Sequence, residues 1–208
     1  SKFAYIGQMD LAKAIELVVG EMSAFKGITA EAALNTMATV ADKTSINLQQ
    51  MGDAFKNATS LGTVLGLKFN DVATAIGIMG KAGIRGATAG AALNTMIYKL
   101  IAPTEKAKAQ MDALGISFQA FDNKGNIKSI REISFELANM TKDLKPNEIG
   151  KVFESMVGLR GVKALGALVQ MAKESSKEFD DLSTAVQNSE GYLDGYFKLL
   201  EKSGKVQF

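Results

Sequence analysis

Apolar residues recur at three- and four-residue steps along nearly the whole chain, and that spacing confines the fold to packed α-helices. In 9–25, Leu11, Ile15, Val18, Met22 and Phe25 share one face. Thr29 is placed to cap the helix that follows, and Asn47 with Gln50 reads as a capping box for the next. Asn70 is expected to open "DVATAIGIMGKAG", which Gly83 ends in a left-handed turn. Leu93, Met96, Ile97 and Leu100 mark a further helix, stopping before Pro103. The chain has only two prolines in 208 residues, so long helices are not interrupted.

"TEKAKAQMDALG" (104–115) predicts a helix with a glycine stop. Residues 116–128, "ISFQAFDNKGNIK", alternate apolar and polar around an Asp-Asn-Lys-Gly turn, which predicts a short β-hairpin. Ser129 with Glu132 is a capping box for the next helix, and Pro146 fits the first turn of "NEIGKVFESMV". After "GLRG" (158–161) two or three more helices follow.

"KGITAEAALNTM" (26–37) and "RGATAGAALNTM" (85–96) lie 59 residues apart and share eight of their last nine letters. A looser copy, "GLRGVKALGALVQM" (158–171), shares seven of fourteen letters with 83–96. Chance likeness in an alanine-rich helical chain is the competing account. The fold class expected is therefore all-α: a bundle of repeated helix–Gly turn–helix units with one inserted hairpin near 116–128. Residues 1–115 would form an N-terminal helical lobe with two such units, and 129–208 a C-terminal helical lobe.

Neither histidine nor cysteine occurs, which removes the usual zinc ligands, His-based triads, thiolate chemistry and disulfides. No D-x-D-x-D-G loop is present for calcium. A net charge of +2 from 24 basic and 22 acidic residues, without a basic stripe, argues against nucleic-acid binding driven by phosphate neutralisation. No apolar run approaches the ~18–20 residues that span a bilayer. The opening "SKFAYIGQMD" has no signal-peptide profile and no initiating Met, and the chain is read as a piece of a longer protein.

The glycine cluster "KAGIRGATAGAALNTM" (81–96) raises the question of a phosphate cradle. Its spacing, G-x-x-G-x-x-x-G over Gly83, Gly86 and Gly90, fits neither a dinucleotide loop nor a P-loop, and no Lys-Ser or Lys-Thr pair follows. It reads as a turn in which Gly83 ends one helix, Gly86 opens the next and Gly90 allows close helix approach. Arg85 is then exposed, or caps carbonyls of the preceding helix. Glu31, Glu132, Glu136, Glu148 and Glu154 are the candidates for paired acid–base chemistry, but all fall at helix starts or solvated faces. "KEFDDL" (177–182) reads as a polar helix face. Tyr192, Tyr196 and Phe197 repeat at helical spacing, as core or partner contacts. The ten methionines fill core gaps or line an adaptable interface. No residue is singled out as catalytic, cofactor-binding or metal-ligating.

The order of motifs over 17–195 resembles the core region of phage tail tape measure proteins of the lactococcal-phage type. It runs from "SAFKGITAEAALNTMATVADKTSINLQQMGDAFKNATSLGTVLGLKFNDVATAIGIMGKAGIRGATAGAAL" through "APTEKAKAQMDALGISFQAFDNKG" to "PNEIGKVFESMVGLRGVKALGALV". The family usually has a Ser or Thr cap after "GL", where this chain has "GLKF" (66–69). The resemblance implies a non-enzymatic structural module, without cofactor, that supports tail assembly and tail length. It implies a place in the lumen of the tail tube after synthesis in the host cytoplasm, and expulsion ahead of DNA. The partners it implies are the tail tube, other tail proteins and further copies of itself, with no small-molecule substrate and no sequence-specific nucleic acid. The alternative is a membrane-active or channel-forming segment assisting DNA across the cell envelope, with transient membrane contact. A cell-wall hydrolase is a third reading, disfavoured by the missing His and Cys.

Overall fold

A computed structural model describes residue 20 and residues 23–195. Among the described residues eight helices follow in chain order: α1 (Ala30–Lys43), α2 (Leu48–Thr63), α3 (Phe69–Lys81), α4 (Gly86–Ile101), α5 (Glu105–Ala113), α6 (Ile130–Met140), α7 (Pro146–Glu174) and α8 (Ser176–Gln187). A further helical turn opens at Tyr192. The all-α expectation holds. The helix expected over 9–25 falls almost wholly outside the described residues, as do Tyr196 and Phe197.

Local chemistry sets most helix starts. The Thr29 hydroxyl accepts from Ala32 N–H at 3.2 Å, and the Asn47–Gln50 and Ser129–Glu132 boxes are both closed. Pro146 sits at the start of α7, where its missing N–H costs nothing. Asn70 is not the cap of α3. That helix begins one residue earlier, with Lys68 as an N-cap that makes no side-chain hydrogen bond. The reason is packing. Phe69 stacks on Phe55 at 4.3 Å with rings nearly parallel, and Phe25 meets both edge-on at 5.7 and 5.4 Å. Seating Phe69 in this cluster draws the helix start to it and leaves the Asn70 side chain free for another task.

Alternate helices run the same way. From α1 to α3, contacts advance from Thr36–Asn70 through Val40–Gly77 to Ile46–Gly80. From α2 to α4 they advance from Ala54–Gly90 to Asn57–Asn94. Helix α4 is held between α2 and the second half of α7, and glycine makes both approaches close. A Cβ at Gly90 would overlap the Ala54 carbonyl, and one at Gly161 would stand 3.2 Å from the Met96 backbone nitrogen. Helix α7 breaks at Gly158, whose φ of 70° is non-helical, as the "GLRG" stretch led us to expect.

The core runs from Ala24 to Val186 without interruption. Met37, Met51, Met79, Met96, Met111 and Met156 are buried in it, with Met140 and Met171 packed against it. The methionines of the described residues are therefore gap-fillers. "KEFDDL" is not polar throughout: Phe179 and Leu182 are buried, Lys177, Glu178 and Asp181 are exposed, and Asp180 is half-buried and paired with Arg131 at 2.7 Å.

The hairpin expected over 116–128 is absent. No strand forms among the described residues, and Phe121 and Ile127 make a single antiparallel bridge. Ile116 and Ala120 do turn inward, with Phe118 packed beside them, so the alternation is real. The two arms share only two backbone hydrogen bonds, from Asp122 N–H to Asn126 O at 2.8 Å and from Lys128 N–H to Ala120 O at 2.9 Å. The Asn126 N–H that would reciprocate goes instead to Asp122 Oδ1 at 2.8 Å, so the pairing does not extend beyond one bridge. The capping box at Ser129 then starts α6 two residues past Ile127, too soon for a second strand.

Candidate functional site

The glycine cluster is a turn. Gly83 takes φ +82°, Ile84 N–H donates to Met79 O at 2.9 Å and Gly83 N–H to Gly80 O at 3.1 Å, which closes α3 in a Schellman motif. Arg85 Nη2 donates to Ser45 Oγ at 3.1 Å, and Ser45 Oγ donates to Gly80 O at 3.2 Å. The guanidinium thus reaches the last-turn carbonyl of α3 through one hydroxyl. The Arg85 side chain is otherwise exposed.

A polar cleft of about 470 Å³ lies where the starts of α1 and α3 meet the turn after α8. Asn35, Thr36 and Ser189 form its buried wall. Asn35 Oδ1 accepts the Leu193 N–H at 3.0 Å, so an α1 side chain caps the helical turn opening at Tyr192. Thr36 Oγ1 donates to Asn70 Oδ1 at 3.1 Å and lies 3.1 Å from Ser189 Oγ. Asn70 Nδ2 reaches Val186 O at 3.5 Å. Placing Asn70 inside the first turn of α3, rather than at its cap, lets its amide bridge α1 and α8.

The chemistry open to this wall is limited. The two hydroxyls have amides for neighbours, and an amide does not accept a proton as a general base does, so neither oxygen is activated as a nucleophile. The wall satisfies buried polar groups and fastens the 186–193 segment to α1 and α3. The same "NT" pair recurs at 94–95, where both residues are only half-buried and Thr95 bonds Ala91 O within α4, so the pair by itself does not signal such a wall.

The five carboxylates weighed as an acid–base pair are dispersed. Glu31 lies in the first turn of α1 and is exposed, and Glu154 is exposed on α7. Glu132 is held below the usual carboxylate range by hydrogen bonds from the Ser129 hydroxyl and N–H. Glu148 accepts the Lys145 N–H at 2.8 Å, and Glu136 is ion-paired to Lys128 at 2.6 Å. Asp71 is the carboxyl pushed upward: burial raises it, Lys68 opposes the rise, and Glu132 adds to it. Among the described residues no group of three or more acidic side chains is arranged to hold a metal ion. No described helix is long and apolar enough to cross a membrane.

The model of the phage-related minor tail protein family matches residues 1–158. The chain belongs to that family. It is 29% identical over 185 residues to the "Tape measure protein" of Pneumococcus phage Dp-1, covering 88% of this chain and 16% of that one. It is 28% identical over 180 residues to the "Probable tape measure protein" of Escherichia phage P2, covering 84% of this chain and 22% of that one. The resemblance drawn from the motif order thus recurs in two relatives, and the chain spans about a sixth to a fifth of their length. No solved structure matches.

Proposed function

We propose that this tail protein is a non-enzymatic structural module of a tape measure protein, acting in tail assembly and in setting tail length. The observation that carries the reading is the alignment of 88% and 84% of the chain with two tape measure proteins. Dimensions support it. The longest described helix, α7, has 29 residues and could span at most about 44 Å even if straight. The relatives are several times longer than the region they share with this chain, so the ruler belongs to their remaining length. The module shared with them is then the fixture that docks or caps it.

In this reading the module sits in the lumen of the virion tail, and its partners are the tail tube, other tail proteins and further copies of itself. The helical stretches opened by the turns at Gly27, Gly83 and Gly158 are copies of one unit, distributed between an N-terminal and a C-terminal lobe. The test is tail length by electron microscopy in particles whose tape measure gene carries in-frame deletions outside this module. Tails should shorten by about 1.5 Å per helical residue removed. Unchanged length would remove the reading's central claim.

A further inference from the structure

One donor on the wall of the polar cleft is left over. Asn35 lines the cleft and is only 3% exposed. The Leu193 N–H holds the Asn35 amide with Oδ1 turned toward it, so Nδ2 is the end left to the cleft. Among the described residues Nδ2 donates to no acceptor. In the similar stretch 85–96 the matching Asn94 uses both ends of its amide. Its Nδ2 donates to Asn57 O at 2.9 Å, and its Oδ1 accepts from Ser60 Oγ at 3.4 Å. What Asn35 lacks is an oxygen, which a neighbouring helix supplies to Asn94.

Further unused donors border the same cleft. The first backbone bond of α3 runs from Val72 N–H to Lys68 O at 3.2 Å, and Lys68 provides no side-chain cap. Among the described residues the N–H groups of Phe69, Asn70 and Asp71 therefore meet no acceptor. Helix α1 starts on the opposite side, with Thr29 already engaged by Ala32. Exposed Lys26 and Lys68 stand at the mouth with exposed Glu31 and Glu190, so the formal charges there cancel. The Asp71 carboxyl does not line the cleft. What remains is the Asn35 donor and the partial positive charge of two helix starts, about half a unit each.

We infer that this cleft is a binding site for a carboxylate, whose oxygens accept from Asn35 Nδ2 and from the N–H groups at the start of α3. A cation would face two helix starts and an amide donor, all of the wrong sign. A phosphate dianion would bring about one negative charge more than the two helix starts offset. An apolar ligand would cover the donors without pairing them. A free acid and the end of a peptide present the same carboxylate. The site stands whether or not the parent protein measures tails.

The test uses the isotope-labelled 208-residue chain, with acetate as the probe and acetamide as its neutral counterpart, at constant ionic strength. NMR titration with acetate should give saturable shifts at the Asn35 side-chain amide and at the Asn70 and Asp71 N–H groups. Acetate should bind at least tenfold more tightly than acetamide. Asn35→Asp keeps an acceptor for the Leu193 N–H but puts a repelling oxygen in place of Nδ2, and acetate affinity should fall at least tenfold. Lys68→Gln, at an exposed position, should melt like the parent and weaken binding severalfold, which keeps the test decisive if Asn35→Asp folds poorly. N-acetyldiglycine separates the two sources: tighter binding than acetate assigns the carboxylate to a peptide end, and equal binding assigns it to a free acid. Four results would overturn the inference. They are no saturable shift with acetate, an equal response to acetamide, tighter binding of inorganic phosphate than of acetate, and an acetate affinity unchanged by Lys68→Gln or by a folded Asn35→Asp.

Discussion

Substituting alanine for Gly90 tests whether the α2–α4 contact is as close as it looks. A Cβ there would overlap the Ala54 carbonyl oxygen and stand 2.7 Å from its carbon and 3.0 Å from Ala54 Cα, where ordinary contact begins near 3.4 Å. All three neighbours are backbone, so no side-chain rotation relieves the overlap and the helices must part by about 1 Å. A radial gap of that size forfeits roughly a quarter to a half of each dispersion contact across the seam. Overpacking of this kind costs about 1–3 kcal/mol, and a rigid backbone neighbour favours the upper end. Alanine returns roughly 0.5–1 kcal/mol through helix propensity. The net loss expected is about 2 kcal/mol, which for a chain of this size lowers Tm by roughly 4–8 °C. Gly166, also helical but with nothing within 4 Å of its would-be Cβ, is the internal control. Gly166→Ala should gain about 0.5–1 kcal/mol. Melting curves by circular dichroism on both variants decide the matter. If Gly90→Ala melts at or above the parent, the close-approach argument is wrong.

Thr36→Val should cost about 1–3 kcal/mol, because it leaves the Asn70 amide and Ser189 hydroxyl without their shared partner. Hydrogen exchange should report faster opening across 186–193 than across α4. Asp71→Asn should raise stability at neutral pH. With its folded-state pKa above the ordinary value, Asp71 weakens the fold as pH rises through the carboxylate range and it ionises. The advantage of the variant should shrink as pH falls below that range, where the parent is neutral too, and a Tm series against pH checks the sign.

Features governed by neighbours three or four residues away were legible in the sequence. The Thr29 cap, the two capping boxes, the Gly83 turn and Pro146 all belong to this class, since each is a backbone group finding a partner within one turn. Asn70 was misread as a cap because a distant event, the seating of Phe69 against Phe55 and Phe25, decided where α3 begins. The hairpin failed for a similar reason: its inward residues were correctly spaced, but competition from Asp122 and from the Ser129 cap held the pairing of the two arms to a single bridge. Phe179 and Leu182 were hidden inside a charged run, and only the third dimension shows that α8 turns them toward the core. The Asn35–Ser189 wall joins residues more than 150 positions apart, and no local pattern specifies that pairing.

That span also has a consequence for biosynthesis. The groups that complete the hydrogen bonding of Asn35 and Thr36 leave the ribosome 158 and 153 residues after them. At roughly 5–20 residues per second, that is an interval of about 8–30 s. Contacts among α1, α2, α3 and α4 can form in that time, while the polar face of α1 stays wetted and available to other chains. The module is therefore closed by its 186–193 segment, which seals a surface that emerged well before it.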